Sequence, residues 1–184
     1  MGNRRFGKGF ENYTPEEQSR IALGREVASE GMVLLENDGT LPLGTGEAAS
    51  LFGVGQIGFL HGGSGSGSTF ADYVVKLPEA MENAGAVINK ALVAQYAEYC
   101  AEAQKKVEKE PPHMRRGTIP EMVLSDAMIA NARKESNVAI ISIVRLAGEG
   151  RDRKLEPGDY YLSPEEHALM AGVKQHFEKV VVLL

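Results

Sequence analysis

The residue of this chain whose neighbours best fit it for chemistry is Glu149, in the run Arg145-Leu146-Ala147-Gly148-Glu149-Gly150-Arg151-Asp152-Arg153. A glycine on each side frees the backbone to approach a ligand or to aim one carboxylate outward. Arg145 and Arg153 have the reach to hold Asp152, or to fix the loop by bidentate pairing. The competing explanation is that a run of charges is only a solvated face. A second candidate is Gly62-Gly63-Ser64-Gly65-Ser66-Gly67-Ser68, open to three readings: a flexible linker, a phosphate cradle, or a rigid turn lining a ligand. A linker separates domains, whereas this tract lies between a buried strand and the next helix. A phosphate loop ends in Gly-Lys-Ser/Thr, and the first lysine after the tract is Lys76. The spacing Gly53-x-Gly55-x-x-Gly58 imitates a dinucleotide fingerprint, but Phe59-Leu60-His61-Gly62-Gly63 does not continue as the helix that fingerprint requires.

The elements that must carry these loops are legible in part. Asn137 to Val144 is apolar apart from Ser142 beyond its first residue, as expected of a strand covered on both faces. Ser163-Pro164-Glu165-Glu166 supplies an N-cap, a proline at the first helical position and a glutamate to close a capping box, predicting a helix to about Phe177. Val180 to Leu184 is the next strand. This is a βαβ unit, and in such sheets ligands gather beyond the carboxyl ends of the strands, where Arg145 to Leu162 must lie. Thr14-Pro15-Glu16-Glu17 repeats the helix-start pattern, predicting a helix to about Glu30. Met32 to Leu35 reads as a short strand, Asn37-Asp38-Gly39 as a turn, and Ala49 to Val54 as a second buried strand. Helices are predicted over Leu77 to Asn83, Ala91 to Lys109 and Ser125 to Lys134, with Glu110 to Pro120 an exposed loop.

Composition narrows the class. A chain of 184 residues, 43% hydrophobic and 24% charged, suits one ordinary α/β domain and leaves little room for two. The net charge of −5, with basic residues scattered, argues against nucleic acid, which needs a continuous basic face. The one cysteine, Cys100, rules out a disulfide-stapled scaffold. The start MGNRRFGKGF has no apolar signal region, and no stretch approaches the roughly eighteen apolar residues of a membrane span. A cytoplasmic protein without membrane contact is expected.

Three ordered motifs then converge on one family. Glu26-Val27-Ala28-Ser29-Glu30-Gly31-Met32-Val33-Leu34-Leu35-Glu36-Asn37-Asp38-Gly39 through Leu41-Pro42-Leu43 resembles the opening of the second domain of family 3 glycoside hydrolases, the β-glucosidase group. Phe52-Gly53-x-Gly55-Gln56 followed by Gly62 to Gly67 resembles it too, as does Arg145 to Arg153 with its Gly-Glu-Gly-x-Asp-Arg core. The resemblance spans roughly Ile21 to Leu184 and is loose over Asn89 to Ser125. It implies a three-layer α/β/α sandwich with a mostly parallel sheet at 14–184, incomplete at its C-terminus, behind an N-terminal arm at 1–13. Glu36 departs from the lysine frequent in the family, which affects a surface contact.

By resemblance, Glu149 is the general acid/base. Gly62, Gly63, Ser64, Gly65 and Ser66 line the sugar pocket with Arg145, and Asp152 and Arg153 orient the Glu149 loop. No metal or cofactor is implied. The implied substrate is a β-linked glucoside or oligosaccharide. The implied partner is a (β/α)8 barrel domain carrying the nucleophilic aspartate, since none of Asp38, Asp72, Asp126 or Asp159 stands in the nucleophile's context. Met1 just ahead of the matched region suits family members in which the sandwich precedes the barrel. The alternative is a non-catalytic carbohydrate-binding or interaction module of the same fold. A nucleotide-binding domain rests on the glycines alone.

Overall fold

Both Pro-Glu-Glu helix starts form, each with a reciprocal cap. In α1, Pro15–Glu30, Thr14 Oγ1 accepts from the Glu17 amide at 3.2 Å while Glu17 Oε2 accepts from the Thr14 amide at 2.7 Å. These descriptions come from a computed structural model, which describes residues 13–58, 62, 74–109, 119–147 and 152–184. The chain divides into two compact units, the first holding residues 13–41 and 74 of those described and the second the remainder.

In the first unit no residue of α1 is buried. After it, Met32 to Leu35 forms no strand, a correction to the sequence reading. These four apolar residues are 63–79% exposed, and among the described residues no neighbouring strand offers them a ladder. Strand-like composition needs a partner's N–H and C=O groups to become a strand. The turn beyond is as expected: Asn37 Oδ1 accepts from the Gly39 and Leu41 amides at 3.1 Å each, and Gly39 takes φ +98°.

The second unit is built on a parallel sheet of four strands: β1 (Ala48–Phe52), β2 (Val87–Ile88), β3 (Val138–Ser142) and β4 (Lys179–Leu183), in the order β2-β1-β3-β4. Register pairs Ala49 with Val138 and Phe52 with Ile141, then Val138 with Lys179 and Ser142 with Leu183. The helices are α2 (Leu77–Asn83), α3 (Lys90–Lys109), α4 (Asp126–Glu135) and α5 (Pro164–His176).

Because successive strand side chains point to opposite faces, the sheet has two cores. Phe52, Ala139 and Ile141 join Leu92 and Tyr96 of α3, Ile129 of α4 and Leu169 and Val173 of α5. Ala49, Leu51, Val138 and Ile140 join Ile88 on the other face, with Leu77 and Met81 of α2 packed against them. All five residues of β3 are buried, as a strand covered on both sides must be. This is the α/β sandwich expected. Ser50, fully buried on β1, meets its hydrogen-bonding needs through Ser136 Oγ at 2.8 Å, the Ala132 carbonyl at 3.2 Å and Asn89 Nδ2 at 3.2 Å. That small network ties the sheet to α4 and to the start of α3. No helix among the described residues is long and apolar enough to cross a membrane.

Candidate active site at the carboxyl ends of β1 and β3

The two candidate loops leave the sheet from adjacent strands, and their roots touch. β1 ends in Gly53 at φ +90°, after which Val54–Gln56 makes one buried 3-10 turn. A Cβ at Gly53 would collide with the backbone of Ser142, and one at Gly55 with the side chains of Ser142 and Val144. Only glycine permits so close an approach at positive φ. Gln56 is fully buried and its Nε2 donates to the Leu51 carbonyl at 2.8 Å, folding the turn back on its own strand. The loop from β3 begins within three residues of that contact, at Arg145. Gly62 is a half-buried bend. Gly63, Ser64, Gly65, Ser66 and Glu149 lie outside the described residues.

Arg145 is the hub of the second loop. Its Nη1 and Nη2 donate to Glu166 Oε1 and Oε2 at 2.6 and 2.5 Å, a bidentate pair in which Glu166 is only 7% exposed. Its Nε donates to the Asp159 carbonyl at 2.7 Å, Nη1 also to the Val144 carbonyl at 2.9 Å, and Nη2 reaches the Tyr161 carbonyl at 3.4 Å. Arg153 donates to the Asp159 carbonyl at 2.9 Å and pairs with its carboxylate at 3.6 Å, while Asp159 Oδ2 accepts from the Lys154 amide at 2.9 Å. So of the two expectations, holding Asp152 or fixing the loop, the geometry follows the second. Among the described residues the acidic partners are Glu166 and Asp159, and Asp152 is exposed. Glu166 is delivered to the Arg145 guanidinium by the first turn of α5.

Glu166 thus serves twice, because its Oε2 also accepts from the Ser163 amide at 2.8 Å to close the α5 capping box. Burial would raise its carboxyl, yet the Arg145 hydrogen bonds and the Ser163 amide, with the guanidinium charge, hold it below its ordinary value. The sequence shows the cap but not the ion pair, whose partners are 21 residues apart.

Glu121 is a second carboxylate that the sequence reading missed. It is 6% exposed, and its Oε2 accepts from the Val54 amide at 2.9 Å while Oε1 accepts from the Met122 amide at 2.9 Å. Burial pushes its carboxyl above the ordinary value, against those amides, which favour the ionised form. The Tyr96 hydroxyl is buried beside it and, among the described residues, meets no partner at full hydrogen-bonding geometry. Burial, then the charge of Glu121, pushes Tyr96 well above its usual range. Among the described residues no cluster of three or more His, Cys, Asp or Glu is placed to hold a metal ion.

Residues 32–184 match the family model of the glycosyl hydrolase family 3 C-terminal domain. The chain belongs to that family. Its curated relatives include "Beta-glucosidase A" of Butyrivibrio fibrisolvens, 32% identical over 99% of this chain and 24% of the relative. "Beta-glucosidase" of Ruminococcus albus is 34% identical over 86% and 17%. The chain therefore spans a quarter or less of the length of these relatives. Among solved structures, β-glucosidase 3B from Thermotoga neapolitana in complex with glucose superposes with a TM-score of 0.84 at 35% identity, covering 92% of this chain and 24% of that one. A β-glucosidase from Paenibacillus barengoltzii gives 0.80 at 33% identity, over 88% and 18%. The likeness extends over the fold of most of the chain.

Proposed function

We propose that this domain supplies the general acid/base of a retaining, exo-acting β-glucosidase-like glycoside hydrolase. Glu149 protonates the leaving oxygen and later activates water. The second carboxylate, which in a retaining enzyme attacks from roughly 5 Å away, is an aspartate of a (β/α)8 barrel domain. Gly62, Gly63, Ser64, Gly65 and Ser66 line the sugar from the neighbouring strand. Arg145 contributes through its grip on Glu166 and on the Asp159 and Tyr161 carbonyls, setting the angle at which the chain leaves β3, while Asp152 and Arg153 orient the loop further on. The substrate is a β-linked glucoside or oligosaccharide, the class in which the relatives' names place them. The observation that carries this reading is the contact of Gly53 and Gly55 with Ser142 and Val144, which starts both loops from one platform.

The test is hydrolysis of an aryl β-glucoside by the chain alone and by the chain mixed with a family 3 barrel domain. Activity is expected in the mixture only. In that active mixture, Glu149→Gln should lower turnover by on the order of 10²-fold for substrates with poor leaving groups. Aryl glycosides with good leaving groups need less proton assistance and should lose less. Equal losses on both would refute proton transfer by Glu149.

A further inference from the structure

The turn at residues 154–161, between β3 and α5, is exposed yet held at many points, and it displays two aromatic rings. The Tyr160 amide donates to the Lys154 carbonyl and the Tyr161 amide to the Glu156 carbonyl, each at 3.2 Å, while the Gly158 amide donates to the Tyr161 carbonyl at 2.9 Å. Gly158 follows Pro157 and takes φ +81°. With the Arg145 and Arg153 bonds to the Asp159 carbonyl, every peptide group next to Tyr160 or Tyr161 is hydrogen-bonded. Exposed turns are ordinarily the mobile parts of a fold; this one is pinned to the buried Arg145 and Glu166 pair.

The rings of Tyr160 and Tyr161 meet edge to face, with centroids 5.2 Å apart and planes at 89°. That contact uses one edge and one face. Since Tyr160 is 64% and Tyr161 51% exposed, the remaining ring surface is turned to solvent. Those fractions of the 150–250 Å² that a large aromatic side chain can bury leave roughly 170–290 Å² open in all. A protein partner covers about 800 Å² of each surface, and exposed Leu155 of the same turn enlarges the patch without reaching that size. The area suits one or two sugar rings. A β-linked glucose unit carries its hydroxyls equatorially, so its axial C–H bonds form an apolar face that the electron-rich face of an aromatic ring attracts. Lys154 and Glu156, whose carbonyls anchor the tyrosines, are exposed and can exchange hydrogen bonds with the hydroxyl rim. A tyrosine offers its area at the cost of two torsions, and a turn already fixed loses little more on binding.

We propose that Tyr160 and Tyr161 form a preorganised stacking platform for a glucose unit of a β-linked oligosaccharide. The choice of sugar rests on the glycosidase reading above. The platform itself needs only this turn, so the chain alone should show it.

The experiment titrates the chain with cellotetraose and follows its tyrosine ring protons and backbone amides by NMR. Shifts should centre on Tyr160, Tyr161 and the amides of 154–161, saturating with a Kd on the order of millimolar. The double variant Tyr160→Ala/Tyr161→Ala should bind at least about fivefold more weakly, whereas Tyr160→Phe/Tyr161→Phe, which keeps both faces, should stay within about twofold of wild type. Glycerol, which has no ring to stack, should leave the rings unmoved. Rings that cellotetraose does not shift, or that glycerol shifts equally, would overturn the inference. So would an alanine variant that melts earlier and binds as before, since the tyrosines would then only brace the turn. Ring signals that respond to a family 3 barrel domain and not to the sugar would assign the pair to a domain contact instead. Should the alanine variant fail to fold, nuclear Overhauser contacts between sugar C–H protons and the two rings of wild type decide. Binding without hydrolysis in the barrel mixture would sink the glycosidase reading and leave the platform standing; hydrolysis without ring shifts would do the reverse.

Discussion

Replacing Arg145 by methionine removes the guanidinium and keeps most of the apolar stem. Glu166, 7% exposed, is then left with the Ser163 amide as its one remaining donor among the described residues. Breaking a fully buried ion pair costs about 3–5 kcal/mol. Here the side chains of Arg145 and Glu166 keep 19% and 9% of their exposure, so the expected loss is discounted to about 2–3 kcal/mol. For a chain of this size that is a fall in Tm of roughly 5–10 °C. Urea unfolding followed by far-ultraviolet circular dichroism reads it directly. The double-mutant cycle with Glu166→Gln should return a coupling of about 1–2 kcal/mol.

The pH dependence has a definite sign. Glu166 is held below its ordinary value of 4.5 in the folded chain, so its contribution is present above that value and is lost as pH falls through the folded one. The gap between wild type and Arg145→Met should therefore close on acidification below about pH 4.5. Because Arg145 also holds the Asp159 and Tyr161 carbonyls, its loss should speed amide exchange over residues 154–161 more than the loss of Glu166 does. A cost under about 0.5 kcal/mol, or two single effects that simply add, would refute the hub.

Two other outcomes are expected beyond the Glu149 and tyrosine variants already described. Cys100 is 6% exposed, and burial, helped by the Glu121 charge, pushes its thiol up to about 11. An aromatic disulfide reagent at pH 8 should thus label the native chain at least about 100-fold more slowly than the unfolded one, and prompt native labelling would contradict the packing. Gly53→Ala and Gly39→Ala both place a side chain at positive φ, but only Gly53 also faces the Ser142 backbone. Gly39→Ala should cost about 1 kcal/mol and Gly53→Ala well over 2 kcal/mol by urea midpoint; equal costs would remove the argument for close contact of the loop roots.

What the sequence disclosed follows from the range of each interaction. Capping boxes, the turn at Asn37 and the apolar run of β3, broken only by Ser142, are local patterns, and all three are present in the structure. β2 is two residues long, too short for an alternation to register, and is a strand only because β1 lies beside it. Met32 to Leu35 errs the other way, with the composition of a strand and no neighbour to pair with. At the site, Gly53 and Gly55 stand out in the sequence only as an imitation of a dinucleotide spacing and as part of the family likeness, and their close approach to Ser142 belongs to the folded chain. Glu166 was visible as a cap yet silent about Arg145, and Glu121, in a segment with weak family likeness, carried no local signal. A buried carboxylate whose donors come from the far end of the domain becomes visible only when the chain is folded.

Among the described residues, β4 pairs with β3 along one edge, and no other described strand lies along its second edge. Its sequence is Lys-Val-Val-Val-Leu, with Val182 37% and Leu183 40% exposed, a composition that suits further strand pairing. Of its five residues only Lys179 carries charge, and that charge is taken up by Glu47 at 2.6 Å. Pairing along that edge would be hindered by a lysine or proline in place of one of the valines.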